Sequence, residues 1–166
     1  SLATFAKHHP DWQVYLHTNC KLFGENYTRL ADVHKNIEIV SMSIADIKIK
    51  TCHACQYADW YRYYVLYTYG GMYCDLCDTI TIRNMDDIYD KADTLTNGMA
   101  KYGNHWHSGW LVVNHVGDKA AKMMMDLPQT PKYNPQTRAA FEAYAFSFVR
   151  PQTKSVPFDY VYPFHF

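Results

Sequence analysis

The run from Ala58 to Asp78 (Ala-Asp-Trp-Tyr-Arg-Tyr-Tyr-Val-Leu-Tyr-Thr-Tyr-Gly-Gly-Met-Tyr-Cys-Asp-Leu-Cys-Asp) constrains the fold more than any other part of the chain. The region Gln56 to Tyr69 lacks glycine and proline and is aromatic on nearly every face, which predicts a helix buried among other elements. Its only charges, Asp59 and Arg62, stand three apart and so share one helix face. Gly70-Gly71 then supplies residues that take the left-handed backbone ending a helix. Met72 to Asp75 reads as a buried strand whose end presents Asp75 and Asp78. Carboxylates at a strand's carboxyl end, beside a helix amino terminus, are where open α/β sheets place ligands. The succession of helix, glycine break, strand and acids points to a metal and diphosphate site.

The flanking sequence alternates in the same way. Ser1 to His9 predicts a short helix with Leu2, Phe5 and Ala6 on one face, stopped by Pro10, and Trp12 to His17 alternates with the period of a strand. Asn36 to Met42 is a second strand, Thr79 to Ile82 extends or follows the acid-bearing one, and Met85 to Lys91 is a short acidic helix. Gly98 to Tyr102 and Trp110 to Val113 read as strands, and Gly117 to Leu127 as a helix with Asp118 as its cap. Asn134-Pro135 opens a last helix over Gln136 to Phe148, and the apolar end, Phe158 to Phe166, tucks in. Strands alternating with helices predict an α/β domain with an at least partly parallel sheet.

At 166 residues, with 48% apolar residues, the chain is expected to form one domain spanning residues 1–166. Sixteen basic residues balance sixteen acidic ones, so no cationic field exists to hold a nucleic acid backbone. No apolar run is long enough for a membrane segment and no secretory signal opens the chain, which predicts a soluble protein. The chain starts with Ser-Leu-Ala and enters a helix at once, so a first strand or an anchor is expected to be missing upstream. The five cysteines (Cys20, Cys52, Cys55, Cys74 and Cys77) are too sparse for a disulfide scaffold and favour a reducing, cytoplasmic compartment. An upstream anchor would instead make the location Golgi-lumenal or membrane-associated.

The central segment resembles glycosyltransferases with the sugar-binding region that carries an Asp-X-Asp motif. This GT-A-type group includes fungal mannosyltransferases, capsular polysaccharide transferases and clostridial glucosylating toxins. Ala58-Asp59-Trp60-Tyr61-Arg62-Tyr63, Leu66-Tyr67-Thr68-Tyr69-Gly70-Gly71-Met72-Tyr73 and Asp75 fall in register with the family pattern without a gap. His9-Pro10-Asp11-Trp12-Gln13-Val14-Tyr15-Leu16 looks like the family's entry turn and first strand, so the resemblance covers roughly residues 1–90. It departs at the motif, where the second aspartate would fall on Cys77 and Asp78 follows, giving Asp-X-X-Asp. One extra residue at a strand end turns side chains to the other face unless a bulge absorbs it. Asp75, Cys77 and Asp78 are therefore all candidates to reach a metal, and a thiolate at 77 would favour softer ions.

The resemblance implies a GT-A-like, Rossmann-like fold: a mixed, mostly parallel sheet flanked by helices. It also implies transfer of a sugar from a UDP- or GDP-sugar to a glycan or glycoprotein acceptor, with retention of anomeric configuration. A departing diphosphate needs its growing negative charge stabilised, and Mn²⁺ or Mg²⁺ does this with few protein oxygen ligands. By resemblance Asp78 is the direct metal ligand and Asp75 binds directly or through water. The resemblance also implies that Asp59 and Arg62 hold the donor sugar, with Arg62 near the phosphates as well, that Tyr73 closes the pocket, and that His165 adds a metal or phosphate contact. An inverting enzyme would instead need a general base, for which Asp118, Asp126, Glu142, His105, His107 and His115 are candidates.

Simpler readings compete. Asp59 and Arg62 also suit an ordinary i,i+3 ion pair, Asp75 and Asp78 suit turn acids, and the aromatic helix suits a core element better than a sugar-stacking surface. His105-Trp106-His107 alternates like a strand and would place two imidazoles on one face, where an ordinary strand is a simpler reading than a metal site. Cys52-X-X-Cys55 and Cys74-X-X-Cys77 match a four-cysteine zinc site in spacing. That arrangement would make the protein a zinc-stabilised interaction module. A degenerate transferase that binds a sugar nucleotide without turnover is the other alternative.

Overall fold

The computed structural model describes residues 2–19, 24, 29–30, 32–42, 54–75, 81, 83–99, 106–126 and 154–156. It is a small mixed α/β architecture whose residues group into two compact units, Ser1–Lys48 with Leu76–Met85, and Ile49–Asp75 with Asp86–Phe166.

In the first unit, helix α1 (Leu2–His8) precedes strands β1 (Val14–Thr18) and β2 (Ile37–Ser41). The strands pair in parallel, from Val14 opposite Ile37 to Thr18 opposite Ser41. Ala6, Val14 and Ile37 form a buried cluster, against which Leu2, Phe5 and Leu30 pack. The apolar face predicted for α1 is thus the face that packs.

Two polar side chains, neither singled out in the sequence, hold this unit together. His9 is fully buried: its Nδ1 lies 3.0 Å from the Phe5 carbonyl, and the Met85 N–H donates to its Nε2 at 2.8 Å. A carbonyl only accepts and an N–H only donates, so the ring is neutral with its proton on Nδ1. Phe5 stacks on it, with ring centroids 4.2 Å apart. The half-buried Asn36 points its amide nitrogen at three carbonyls, those of Ala6, His9 and Trp12, at 3.3, 3.0 and 3.1 Å. It thereby ties the last turn of α1, at Ala6, to the turn that follows it, at His9 and Trp12. Asn36→Asp keeps the size but replaces the donor with a carboxylate facing those carbonyls. The expected loss is about 2–3 kcal/mol, read as a lower urea midpoint at unchanged slope.

The second unit begins with helix α2 (Ala54–Tyr69), followed by strand β3 (Gly71–Cys74), helix α3 (Asp86–Tyr89), strands β4 (Thr96–Met99) and β5 (Trp106–Val113), helix α4 (Lys119–Asp126) and strand β6 (Lys154–Val156). The sheet order is β3-β5-β4-β6. β5 runs antiparallel to both β3 and β4, and only β4 and β6 are parallel. The expectation of a mostly parallel sheet is therefore corrected in this unit. An apolar strand signals burial on both faces, which a central antiparallel strand also has, so the composition of Trp110 to Val113 carried no direction. All four of those residues are 1% exposed or less.

Leu111 and Val113 pack with Tyr63 and Leu66 of α2 and with Ala120 and Met124 of α4. Strand alternation sends Trp110 and Val112 to the opposite face. Asp118 caps α4 as expected: its Oδ1 accepts the Ala121 N–H at 2.8 Å, and its Oδ2 accepts the Leu95 N–H at 3.2 Å. The helix predicted at Gln136–Phe148 and the apolar end at Phe158–Phe166 lie outside the described residues.

Candidate functional site

The site grows from the junction of α2 and β3. Gly70 and Gly71 have φ of +68° and +95°. The Gly70 N–H donates to the Leu66 carbonyl at 2.9 Å, and the Gly117 N–H donates to the Tyr67 carbonyl at 2.8 Å. The last carbonyls of α2 are thus capped while the chain reverses into β3. A Cβ on Gly70 would stand 3.0 Å from the His115 carbonyl oxygen, so both the backbone angle and the space there require glycine. β3 is half-buried along its length rather than fully buried as its sequence suggests.

This turn brings the α2 charges to the end of β3. Arg62 is 4% exposed. Nη2 donates to Asp59 Oδ1 at 2.8 Å, Nε donates to the Ala58 carbonyl at 3.4 Å, and Nη1 lies 3.6 Å from Asp75 Oδ2. The guanidinium carbon stands 5.1 Å from the centre of the Tyr73 ring. From the other side, the Tyr73 hydroxyl donates to Asp75 Oδ1 at 2.8 Å. The backbone N–H of Asp75 is anchored on the Gly109 carbonyl at 2.8 Å. One arginine therefore joins a helix carboxylate to a strand carboxylate, and Asp75, with its side chain 34% exposed, is the open member.

Burial works against the Arg62 charge, but Tyr73, Asp75 and Asp59 outweigh it, so the guanidinium holds its proton more firmly than usual. Burial also pushes the Tyr73 phenol up; Arg62 opposes this and Asp75 adds to it, leaving the hydroxyl protonated and able to donate. Cys74 alternates to the other face of β3, and burial, with a contribution from Asp75, pushes its thiol up to about 12. An unligated Cys74 is thus a thiol rather than a thiolate at neutral pH.

Four residues named from the sequence, Asp59, Arg62, Tyr73 and Asp75, thus form two hydrogen-bonded pairs joined by the Arg62–Asp75 ion pair and by the guanidinium over the Tyr73 ring. Asp78, Cys77 and His165 lie outside the described residues, as do Cys52 and the side chain of Cys55 from the zinc arrangement. Among the described residues no three histidine, cysteine or acidic side chains cluster to hold a metal. The Tyr73 to Asp75 bond was not anticipated, although residues two apart on a strand share a face. Asp118, a base candidate, has both carboxylate oxygens engaged by backbone N–H groups, Oδ1 by that of Ala121 and Oδ2 by that of Leu95, and His115 Nε2 lies 3.7 Å from its Oδ2. Asp126 pairs with Lys122 on the surface. Among the described residues no helix is long and apolar enough to cross a membrane.

No curated protein and no solved structure matches the chain. Residues 1–95, which include the whole Asp59, Arg62, Tyr73 and Asp75 network, match the family described as glycosyltransferase sugar-binding region containing DXD motif. Because that match covers more than half of the 166 residues, the chain belongs to this glycosyltransferase family.

Proposed function

We propose that the protein is a GT-A-like hexosyltransferase that moves a sugar from a UDP- or GDP-sugar to a glycan or protein acceptor, with retention and with Mn²⁺ or Mg²⁺. The observation that carries this reading is the convergence of Asp59, Arg62, Tyr73 and Asp75 at the end of β3, inside the family match. A sugar presents hydroxyls that carboxylates accept, and an acid pair tied to one buried arginine presents its acceptors in a fixed geometry.

The residues fit a divalent cation in kind. Asp75 offers a partly exposed carboxylate whose oxygens each receive one donor contact in the network, which leaves acceptor capacity on both. Hard divalent ions take such oxygens and keep waters and substrate phosphates as further ligands. Asp75 and Asp78 would hold the ion, with His165 as a further contact. When bound, the ion stabilises the charge that develops on the departing diphosphate. Asp59 and Asp75 accept from donor hydroxyls, Arg62 holds the two acids in place and adds positive charge near the phosphates, and Tyr73 closes the wall.

A donor-hydrolysis screen over UDP- and GDP-sugars with Mn²⁺ or Mg²⁺ tests the assignment. The expected result is ion-dependent release of UDP or GDP from one sugar class, abolished by chelator and restored by added metal. Absence of both binding and hydrolysis across the panel would overturn it.

A further inference from the structure

The division of labour between Tyr73 and Asp75 extends this reading. Asp75 is the first residue past β3, where a carboxylate on an open strand end has several rotamers available. Here each oxygen meets a different partner, the Tyr73 hydroxyl on Oδ1 and the Arg62 guanidinium on Oδ2. The Tyr73 ring has little freedom of its own, because it packs against the buried cluster of Tyr63, Leu66 and Leu111 and lies beneath the guanidinium. Its hydroxyl has therefore one direction to point, and its single hydrogen is spent on Asp75. A group so engaged has no second hydrogen to give a ligand, whereas Asp75 keeps outward acceptor capacity and solvent exposure.

We infer that Tyr73 is a positioning residue: it acts on the donor through Asp75, by fixing the carboxylate. The inference rests on the transferase reading for its ligand. Losing one hydrogen bond to a charged group predicts about a tenfold weakening of donor affinity in Tyr73→Phe, with ring packing and the Arg62 contact retained.

A double-mutant cycle separates action through Asp75 from direct contact. UDP-glucose and GDP-mannose are titrated with Mn²⁺ against the native chain, Tyr73→Phe, Asp75→Ala and the double variant. The expected result is about a tenfold loss for Tyr73→Phe in the native background and little loss in the Asp75→Ala background, where no acceptor is left for the hydroxyl. Equal losses in both backgrounds, or none in either, would overturn the inference. The same cycle in ligand-free urea unfolding serves where Asp75→Ala removes binding altogether: coupling between the two positions supports the clamp, and strict additivity overturns it. Failure of the native chain to bind either donor would count against the transferase reading alone, since the unfolding cycle still reports on Tyr73 and Asp75.

Discussion

Arg62→Met is expected to cost about 3–5 kcal/mol of stability and to remove donor binding. Methionine fills much of the same space, so the loss would be electrostatic. Arg62 is 4% exposed, and without it Asp59 and Asp75 become two like charges near one another with no cation between them. Removing one partner of a buried ion pair is far more damaging than replacing the whole pair, since the charge left behind keeps its desolvation cost. Arg62→Lys is expected to fall in between. It keeps the positive charge, but one ammonium cannot reproduce the planar fork that reaches Asp59, Asp75 and the Ala58 carbonyl together. Urea unfolding and calorimetric titration with a UDP- or GDP-sugar read the two losses separately. Wild-type stability in Arg62→Met would remove the bridging role, and wild-type affinity in Arg62→Lys would show that the fork geometry is not needed.

The same residue shows what the sequence could and could not convey. The bond from Arg62 to Asp59 was legible from their spacing, because helix geometry alone brings such side chains together. Its reach to Asp75 depends on Gly70 and Gly71 reversing the chain, which the pair of glycines signalled without specifying a distance. The cap at Asp118 was legible for the same local reason. The roles of His9 and Asn36 were not. His9 bonds a backbone N–H 76 residues away, and Asn36 bonds carbonyls 24 to 30 residues away, so neither pairing leaves a local pattern. Strand direction was hidden likewise. The apolar run of β5 records burial on both faces and nothing about its neighbours' orientation, and the three residues of β6 are too few to show a period.

Asp78→Ala is expected to lower ion-dependent donor hydrolysis by at least about a hundredfold, in keeping with the charge stabilisation that a lost electrophilic group removes. The fold should stay intact. The oxygens of Asp75 already meet Tyr73 and Arg62, so Asp75 supplies only part of a coordination sphere and needs a second carboxylate beside it. Cys77 and Asp78 are the two neighbours able to ligate, and ion hardness separates them. A carboxylate suits Mn²⁺ or Mg²⁺, whereas a thiolate suits softer ions such as Cd²⁺ or Zn²⁺. Cys77→Ser should therefore leave Mn²⁺-dependent hydrolysis within about twofold of the native rate. Asp78→Ala should not be rescued by Cd²⁺. The reverse pattern, with Cys77→Ser inactive in Cd²⁺ and Asp78→Ala active in Mn²⁺, would move the ligand to the sulfur. Circular dichroism and the urea midpoint of each variant distinguish loss of the ion from loss of the fold.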